Sequence, residues 1–153
     1  MGLELTSIAF QEGEFIPREY TGDGQNGSPP LKWSNPPSGT KSLALVCEDP
    51  DAPKGTFTHW VVFNLPAESR ELDAGVPQEP TLANGTIQGM NGMGQVGYAG
   101  PAPPPGKEHH YAFKLYALDT SLDLHPGASA RELRAILPGH VLAESQLIGI
   151  YGR

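Results

Sequence analysis

Two stretches of the chain are apolar at almost every position. Residues 42–47 form one short run, and residues 59–65 form another that is rich in β-branched and aromatic side chains. Apolar runs of this length without alternation are typical of strands that are covered on both faces. We therefore expect both stretches to be strands in the centre of the protein.

A third stretch, residues 109–116, alternates between two faces. Successive side chains of a strand point to opposite sides, so four of these residues share the face that we expect to point inward: His109, Tyr111, Phe113 and Leu115. The intervening residues lie on the other face: His110, Ala112, Lys114 and Tyr116. Weaker strand candidates are residues 5–10, 31–33, 86–88 and 146–151.

One helix is predicted from Ala130 to Leu137. Ser129 and Glu132 have the spacing of a capping box, and the Pro-Gly pair at 138–139 ends the helix. A second short helical turn is predicted for residues 140–144.

About six strands require two packed layers. The chain of 153 residues has no internal repeat and no linker, and its length is suited to one hydrophobic core. The pattern predicts a single domain over residues 1–153. Its fold class is mainly β, an antiparallel β-sandwich of Greek-key type with one or two short helices near the C-terminus.

Charge and composition exclude several classes of protein. A formal net charge of −7 argues against binding to duplex nucleic acid, which requires a basic face. Cys47 is the single cysteine, so no intrachain disulfide can form, and we expect it to pack as a small apolar residue in a strand. No segment approaches the roughly 18 consecutive apolar residues of a membrane span, and residues 1–6 do not resemble a secretory signal. We therefore predict a cytoplasmic protein with no integral membrane association.

Residues 92–97 match the pattern G-x-G-x-x-G of dinucleotide-binding sites. That fingerprint must follow a strand and open a helix, whereas here it leads to Pro101 and a proline cluster in which no helix can form. We interpret the segment as a loop.

Acidic residues follow the first central strand. Asp49 ends that strand, and Asp51 lies between two prolines that fix the direction of the loop. The motif is typical of a turn, but a rigid loop at the end of a buried strand is also where binding residues occur. His59 begins the next strand, where a lone histidine is either a core residue or part of a site.

The imidazoles and carboxylates in these segments could bind a metal ion, but their spacing does not predict a metal site. Asp49, His59 and His109 form a two-histidine, one-carboxylate set without the close spacing of a metal motif, and His110 points away from His109. We predict neither a metal nor a cofactor.

The alternative is an anion site. His59, His109 and Tyr111 would donate hydrogen bonds to the anion, and the backbone at residues 106–107 would supply N–H groups. Asp49 would orient an imidazole from behind and hold it protonated.

With these motifs the chain resembles the phosphatidylethanolamine-binding protein family, which includes the Raf kinase inhibitor proteins, and more closely its bacterial and archaeal branch. The resemblance covers almost the whole chain. Its main segments are residues 49–53, 58–66 and 97–111, and its flanking segments are residues 28–33, 36–42, 115–119 and 139–143.

The resemblance implies a β-sandwich with a small cavity that accepts phosphate-like anions, including phosphoethanolamine head groups. By motif, four residues fall on the ligand-binding positions: Asp49, His59, His109 and Tyr111. Four more would shape the rim: Asp51, Pro53, Pro101 and Pro103. His110 departs from the family pattern, which usually has arginine there, and we expect a surface ion pair to be lost.

Three functions follow from these residues and the resemblance. The leading hypothesis is non-enzymatic binding of a small ligand that carries phosphate or carboxylate. The first alternative is a protein partner, with the chain inhibiting a kinase or another enzyme. The second alternative is a hydrolase that uses Asp49 and His59 as an acid-base pair, although no serine or cysteine stands in an activating context. A homodimer formed through sandwich edges is a further hypothesis.

Overall fold

The protein is described here by a computed structural model that covers residues 2–153. Within that range eight strands alternate with loops: β1 (Glu4–Thr6), β2 (Leu31–Ser34), β3 (Ser42–Asp49), β4 (Phe57–Pro66), β5 (Glu71–Leu72), β6 (Ile87–Gln88), β7 (His109–Leu118) and β8 (Val141–Tyr151). A 3-10 turn spans Arg18–Tyr20, and one α-helix, α1, spans Ala130–Ile136. The strands form two antiparallel sheets in the orders β1-β2-β5 and β6-β4-β3-β7-β8.

The five-stranded sheet is covered on both faces. The inner face packs against the three-stranded sheet, where Leu43 and Phe113 meet Trp33 in one apolar cluster. The outer face packs against α1, where Val46 lies in a second cluster with Leu133. Every residue of β3 is buried, which confirms the prediction that an unbroken apolar run is covered on both sides.

The buried carboxylate of Glu48 links helix α1 to the five-stranded sheet. Glu48, on β3, is 7% exposed, and its Oε1 lies 2.6 Å from Lys114 Nζ on β7. Its Oε2 accepts a hydrogen bond from the Arg134 guanidinium on α1. The two cations supply the partners that a buried carboxylate needs.

Strand β8 corrects the prediction for its segment. The helical turn predicted for residues 140–144 is wrong, because that segment pairs with β7 at Ala117↔Ala143 and Tyr116↔Glu144. The strand predicted at 146–151 is only its second half. The first half is largely exposed, so it lacks the alternation that marks a half-buried strand.

The remaining elements follow their patterns with small differences in length. Strand β1 ends at Thr6, before the predicted end at Phe10. The predicted capping box of Ser129 and Glu132 is present, with Ser129 as the N-cap, and Leu137 is the C-cap of the helix. Cys47 is buried in β3, as predicted.

The antiparallel order determines where the candidate residues lie. Strand β3 ends at Asp49, which pairs with Phe57 at the start of β4. Strand β7, on the other side of β3, runs antiparallel to it and begins at His109. The end of β3 and the starts of β4 and β7 therefore meet at one end of the sheet.

Candidate functional site

A cavity of about 230 Å³ lies at this end of the sheet. Its walls come from the β3–β4 loop, the first residues of β4 and β7, and the loops that precede β7. The lining residues are Asp49, Ala52, Pro53, Phe57, His59, Met93, Ala99, Gly100, Ala102, Pro103, Pro104, His109 and Tyr111.

Asp49 and His109 form a buried pair in the cavity wall. The carboxylate Oδ2 accepts a hydrogen bond from His109 Nδ1 at 2.7 Å, and both side chains are about 95% buried. The other carboxylate oxygen, Oδ1, accepts from the Asp51 backbone N–H at 2.8 Å. Both oxygens of Asp49 are thus used by the protein, and the imidazole keeps Nε2 for another partner.

His59 is held in the same way by a backbone carbonyl. Its Nδ1 lies 2.6 Å from Ala99 O, and because a carbonyl only accepts, Nδ1 carries the proton. Burial lowers the pKa of His59, more than its hydrogen bond to Ala99 raises it. The neutral ring is therefore favoured, and its Nε2 is then a hydrogen-bond acceptor.

Tyr111 lies between the two histidines. Its ring meets the His59 ring edge-on, with 5.2 Å between centroids, and stacks on the His109 ring at 6.5 Å. Burial raises the pKa of the Tyr111 phenol, so its hydroxyl stays protonated and can donate a hydrogen bond.

Three polar atoms of the cavity have no hydrogen-bond partner among residues 2–153: His59 Nε2, His109 Nε2 and the Tyr111 hydroxyl. In the same part of the chain, Thr86 Oγ1 is the one side-chain polar atom that is both unpaired and fully buried. The three cavity atoms therefore reach accessible space. They are available to a ligand.

No lysine or arginine is among the residues that line the cavity. The Arg153 guanidinium slightly opposes the rise in the pKa of Tyr111, but it is paired with Asp23 at 2.8 Å. Positive charge at the cavity wall must therefore come from a protonated imidazole.

The structure divides the other predicted site residues between the cavity and its surroundings. Pro53 and Pro103 line the cavity. Asp51 and Pro101 are not lining residues: Asp51 binds His110, and the Pro101 carbonyl accepts from the Gly22 N–H at 2.8 Å. The N–H of Gly106, predicted to face an anion, points to Arg153 O at 3.5 Å.

His110, where we expected the loss of a surface ion pair, is hydrogen-bonded to Asp51 and forms an ion pair with it when the imidazole is protonated. Its Nδ1 lies 2.7 Å from Asp51 Oδ2, and its backbone N–H donates to the same oxygen at 2.8 Å. These hydrogen bonds lower the pKa of Asp51. The β3–β4 loop is thus attached to both of the first two residues of β7, through Asp49 to His109 and through Asp51 to His110.

Part of the cavity wall does not follow from the sequence pattern, most importantly Phe57 and Met93. Phe57 precedes the predicted strand by two residues, and its ring lies 4.8 Å from the His59 ring. Met93 belongs to the glycine-rich loop that we had interpreted only as a loop. Neither position carries a local signal, because single apolar residues at a surface are common.

Three further observations concern the rest of the part of the chain that the structure describes. A depression of about 550 Å³ between β1 and β8 is larger, but no histidine, lysine or arginine lines it. Among residues 2–153, no group of three or more histidine, cysteine or acidic side chains is arranged to hold a metal ion. No helix in that range is long and apolar enough to cross a membrane.

A β-sandwich with a small cavity at one sheet end, and with polar atoms open to that cavity, defines a class of ligand-binding β proteins. The chain belongs to the phosphatidylethanolamine-binding protein family, whose sequence model matches residues 6–152. Membership supports a role in ligand binding or interaction in general.

Relatives of similar length support the assignment. A UPF0098 protein of Methanothermobacter thermautotrophicus is 51% identical over 151 residues, which cover 99% of both chains. The UPF0098 protein YbhB of Escherichia coli is 36% identical, over 97% of this chain and 99% of its own. The crystal structure of E. coli YbcL, described as a new member of the mammalian PEBP family, superposes on this chain with a TM-score of 0.93. The two chains are 34% identical, and the match covers 100% of this chain and 99% of YbcL.

Proposed function

We propose that the protein binds a small ligand bearing a phosphate or carboxylate group, of the phosphoethanolamine type, and releases it unchanged. The observation that carries this proposal is the buried hydrogen bond between Asp49 and His109, which leaves His109 Nε2 as an oriented group in the cavity. The family's name, phosphatidylethanolamine-binding protein, supports the same ligand class.

The charge of the site supports binding of an anion through imidazole. When His109 carries both protons, Nε2 is a charged donor and the Asp49 carboxylate balances the ring from behind. Hydrogen bonds from a charged donor to an anion are about twice as strong as neutral ones. Tyr111 adds a neutral donor beside it.

His59 favours phosphate over carboxylate. Its lowered pKa makes Nε2 an acceptor near neutral pH, and an acceptor requires a proton on the ligand. A singly protonated phosphate monoester carries such a proton, since its second pKa is about 6, whereas a carboxylate does not. Two donors and one acceptor therefore match a hydrogen phosphate group.

A hydrolase is the less favoured alternative. Asp49 cannot act as a free acid or base, because both carboxylate oxygens already accept hydrogen bonds from His109 and Asp51. None of the residues that line the cavity is a serine, threonine or cysteine, so the lining offers no nucleophile of these types. Kinase inhibition, the homodimer and the cytoplasmic location stay predictions.

Calorimetric titration with phosphate, phosphoethanolamine and acetate at pH 6 and pH 8 tests the proposal. We expect the phosphate compounds to bind more tightly than acetate, more weakly at pH 8, and not at all to His109→Ala. The matched control is His140→Ala, because His140 also pairs with a carboxylate, Asp119, but at the opposite end of β7. If none of the three anions binds at either pH, the proposal is wrong.

A further inference from the structure

Most of the cavity wall is apolar. Apart from Asp49, the two histidines and Tyr111, the lining consists of alkyl, aromatic and glycine groups. A volume of about 230 Å³ equals that of about seven or eight water molecules in the liquid. A phosphate group bound at His109 would fill only part of this space.

Met93 contributes to this wall from an exposed position. Its side chain is 65% exposed. The backbone that carries it is nevertheless fixed, because buried Asn91 accepts hydrogen bonds from Met93 N at 2.8 Å and Gln95 N at 3.3 Å. The Asn91 amide also donates to Gly97 O at 2.8 Å.

Phe57 extends the apolar wall toward His59. A Cβ atom at Gly92 would lie 2.6 Å from the Phe57 ring, so the absence of a side chain at Gly92 lets that ring pack directly on the glycine-rich loop. The same ring contacts His59 edge-on. Phe57 and Met93 thus reach the cavity from two segments that the loop holds together.

We propose that Phe57 and Met93 form an apolar subsite for the organic part of the ligand. The ligand class is then a phosphate monoester with a short alkyl or aromatic group, rather than inorganic phosphate. The anionic half of this ligand rests on the proposed function. Methionine suits such a subsite, because its flexible thioether packs well against aromatic rings.

Titration of inorganic phosphate and phenyl phosphate at pH 6 tests the subsite. We expect phenyl phosphate to bind about tenfold more tightly, because its ring buries apolar surface. Met93→Ala should reduce that ratio about threefold or more. Met90→Ala is the matched control, because Met90 is partly exposed just before the same loop but does not line the cavity.

Equal affinities for the two compounds would overturn the subsite. An unchanged ratio of the two affinities in Met93→Ala would also overturn it. An equal loss of affinity for both compounds would overturn it as well, because that result would indicate a structural role for Met93.

Neutral phenol separates the subsite from the anion site. In a protein with 13C-labelled methionine methyl groups, phenol should shift the Met93 signal and not that of Met90. If neither phosphate compound binds but phenol shifts Met93, the anion proposal fails and the apolar subsite stands. If phenol leaves Met93 unshifted and phosphate still binds, the subsite fails and the anion proposal stands.

Discussion

Asp49 and His109, 60 residues apart in the chain, are joined by a buried hydrogen bond of 2.7 Å. The bond connects the end of β3 to the start of β7, and it leaves no free oxygen on Asp49 because Oδ1 is bound to the Asp51 N–H. Asp49 therefore acts on a ligand only through His109. It is a positioning residue.

Asp49→Asn tests this role. Asparagine has nearly the same shape but no charge, so a doubly protonated His109 loses its counter-ion. We expect the affinity for phosphate at pH 6 to fall about tenfold, because a hydrogen bond to a charged group contributes roughly 1.5–3 kcal/mol and about 1.4 kcal/mol is a factor of ten in affinity. Calorimetric titration measures it, with Asp119→Asn as the control at the exposed pair with His140. An unchanged affinity in Asp49→Asn would remove the positioning role.

The lowered pKa of His59 should make the stability of the protein depend on pH. Its pKa in the folded protein is lowered by burial, so between that pKa and about 6.5, the ordinary value, the unfolded chain binds more protons. Its contribution to stability is fully present above about pH 6.5 and is lost as the pH falls through the folded pKa. The free energy of unfolding should therefore decrease between pH 7 and pH 5.

The variant His59→Asn isolates this effect. Asparagine can still donate to Ala99 O but does not titrate, so the decrease between pH 7 and pH 5 should be smaller than in the native protein. Urea unfolding at both pH values measures the difference, and exposed His140→Asn serves as the control. A decrease as large as that of the native protein would show that His59 is not its source.

The strands could be predicted from the sequence where burial is uniform or regular. The unbroken apolar run of β3 and the alternation of β7 each reflect a simple environment, and both were predicted close to their bounds. The first half of β8 has neither signal, because it is exposed and its pairing with β7 depends on residues distant in the chain. Long-range pairing overrode the local helical preference of Ala143 and Glu144.

Only those cavity residues that lie at strand ends could be predicted from the sequence. Asp49, His59 and His109 lie at the ends of recognisable strands, so antiparallel order alone brings them to one end of the sheet. The positions of Phe57 and Met93 depend on how a loop packs against β4, which no local pattern reports. Asp51 was predicted on the rim, but the structure directs its carboxylate to His110.

The pair of Asp51 and His110 should stabilise the protein more in acid than at pH 8. An arginine at position 110 should remove this difference. The hydrogen bonds from His110 lower the pKa of Asp51, so the carboxylate is charged at both pH 5.5 and pH 8. A histidine is a cationic partner only in acid, whereas arginine is cationic at every pH. We expect His110→Arg to raise the free energy of unfolding at pH 8 by up to about 1 kcal/mol, the range of exposed pairs, and little at pH 5.5.

A double-mutant cycle assigns that gain to the pair. In an Asp51→Asn background the arginine should give no gain at pH 8, because its carboxylate partner is absent. Urea unfolding of the four proteins measures the cycle. If the gain persists without Asp51, it arises from another contact.

Gly100 shows how closely the cavity wall is packed. Its N–H donates to Asn26 Oδ1 at 2.7 Å, and a Cβ atom there would lie 2.4 Å from the same oxygen and 2.6 Å from Tyr20 O. Because one of these neighbours is backbone, the wall itself would have to move. Gly100→Ala should therefore lower the free energy of unfolding by about 1–3 kcal/mol, the usual cost of overpacking.

The same substitution should weaken phosphate binding, because the adjacent residue, Ala99, holds His59 by its carbonyl. Gly27→Ala is the matched control: Gly27 follows Asn26, and a Cβ atom there would meet its nearest neighbour at an ordinary 3.7 Å. Urea unfolding and calorimetric titration of both variants separate the two effects. If Gly100→Ala were destabilised but bound phosphate normally, His59 would not be needed in its present position, and the ligand-binding groups of the site would reduce to His109 and Tyr111.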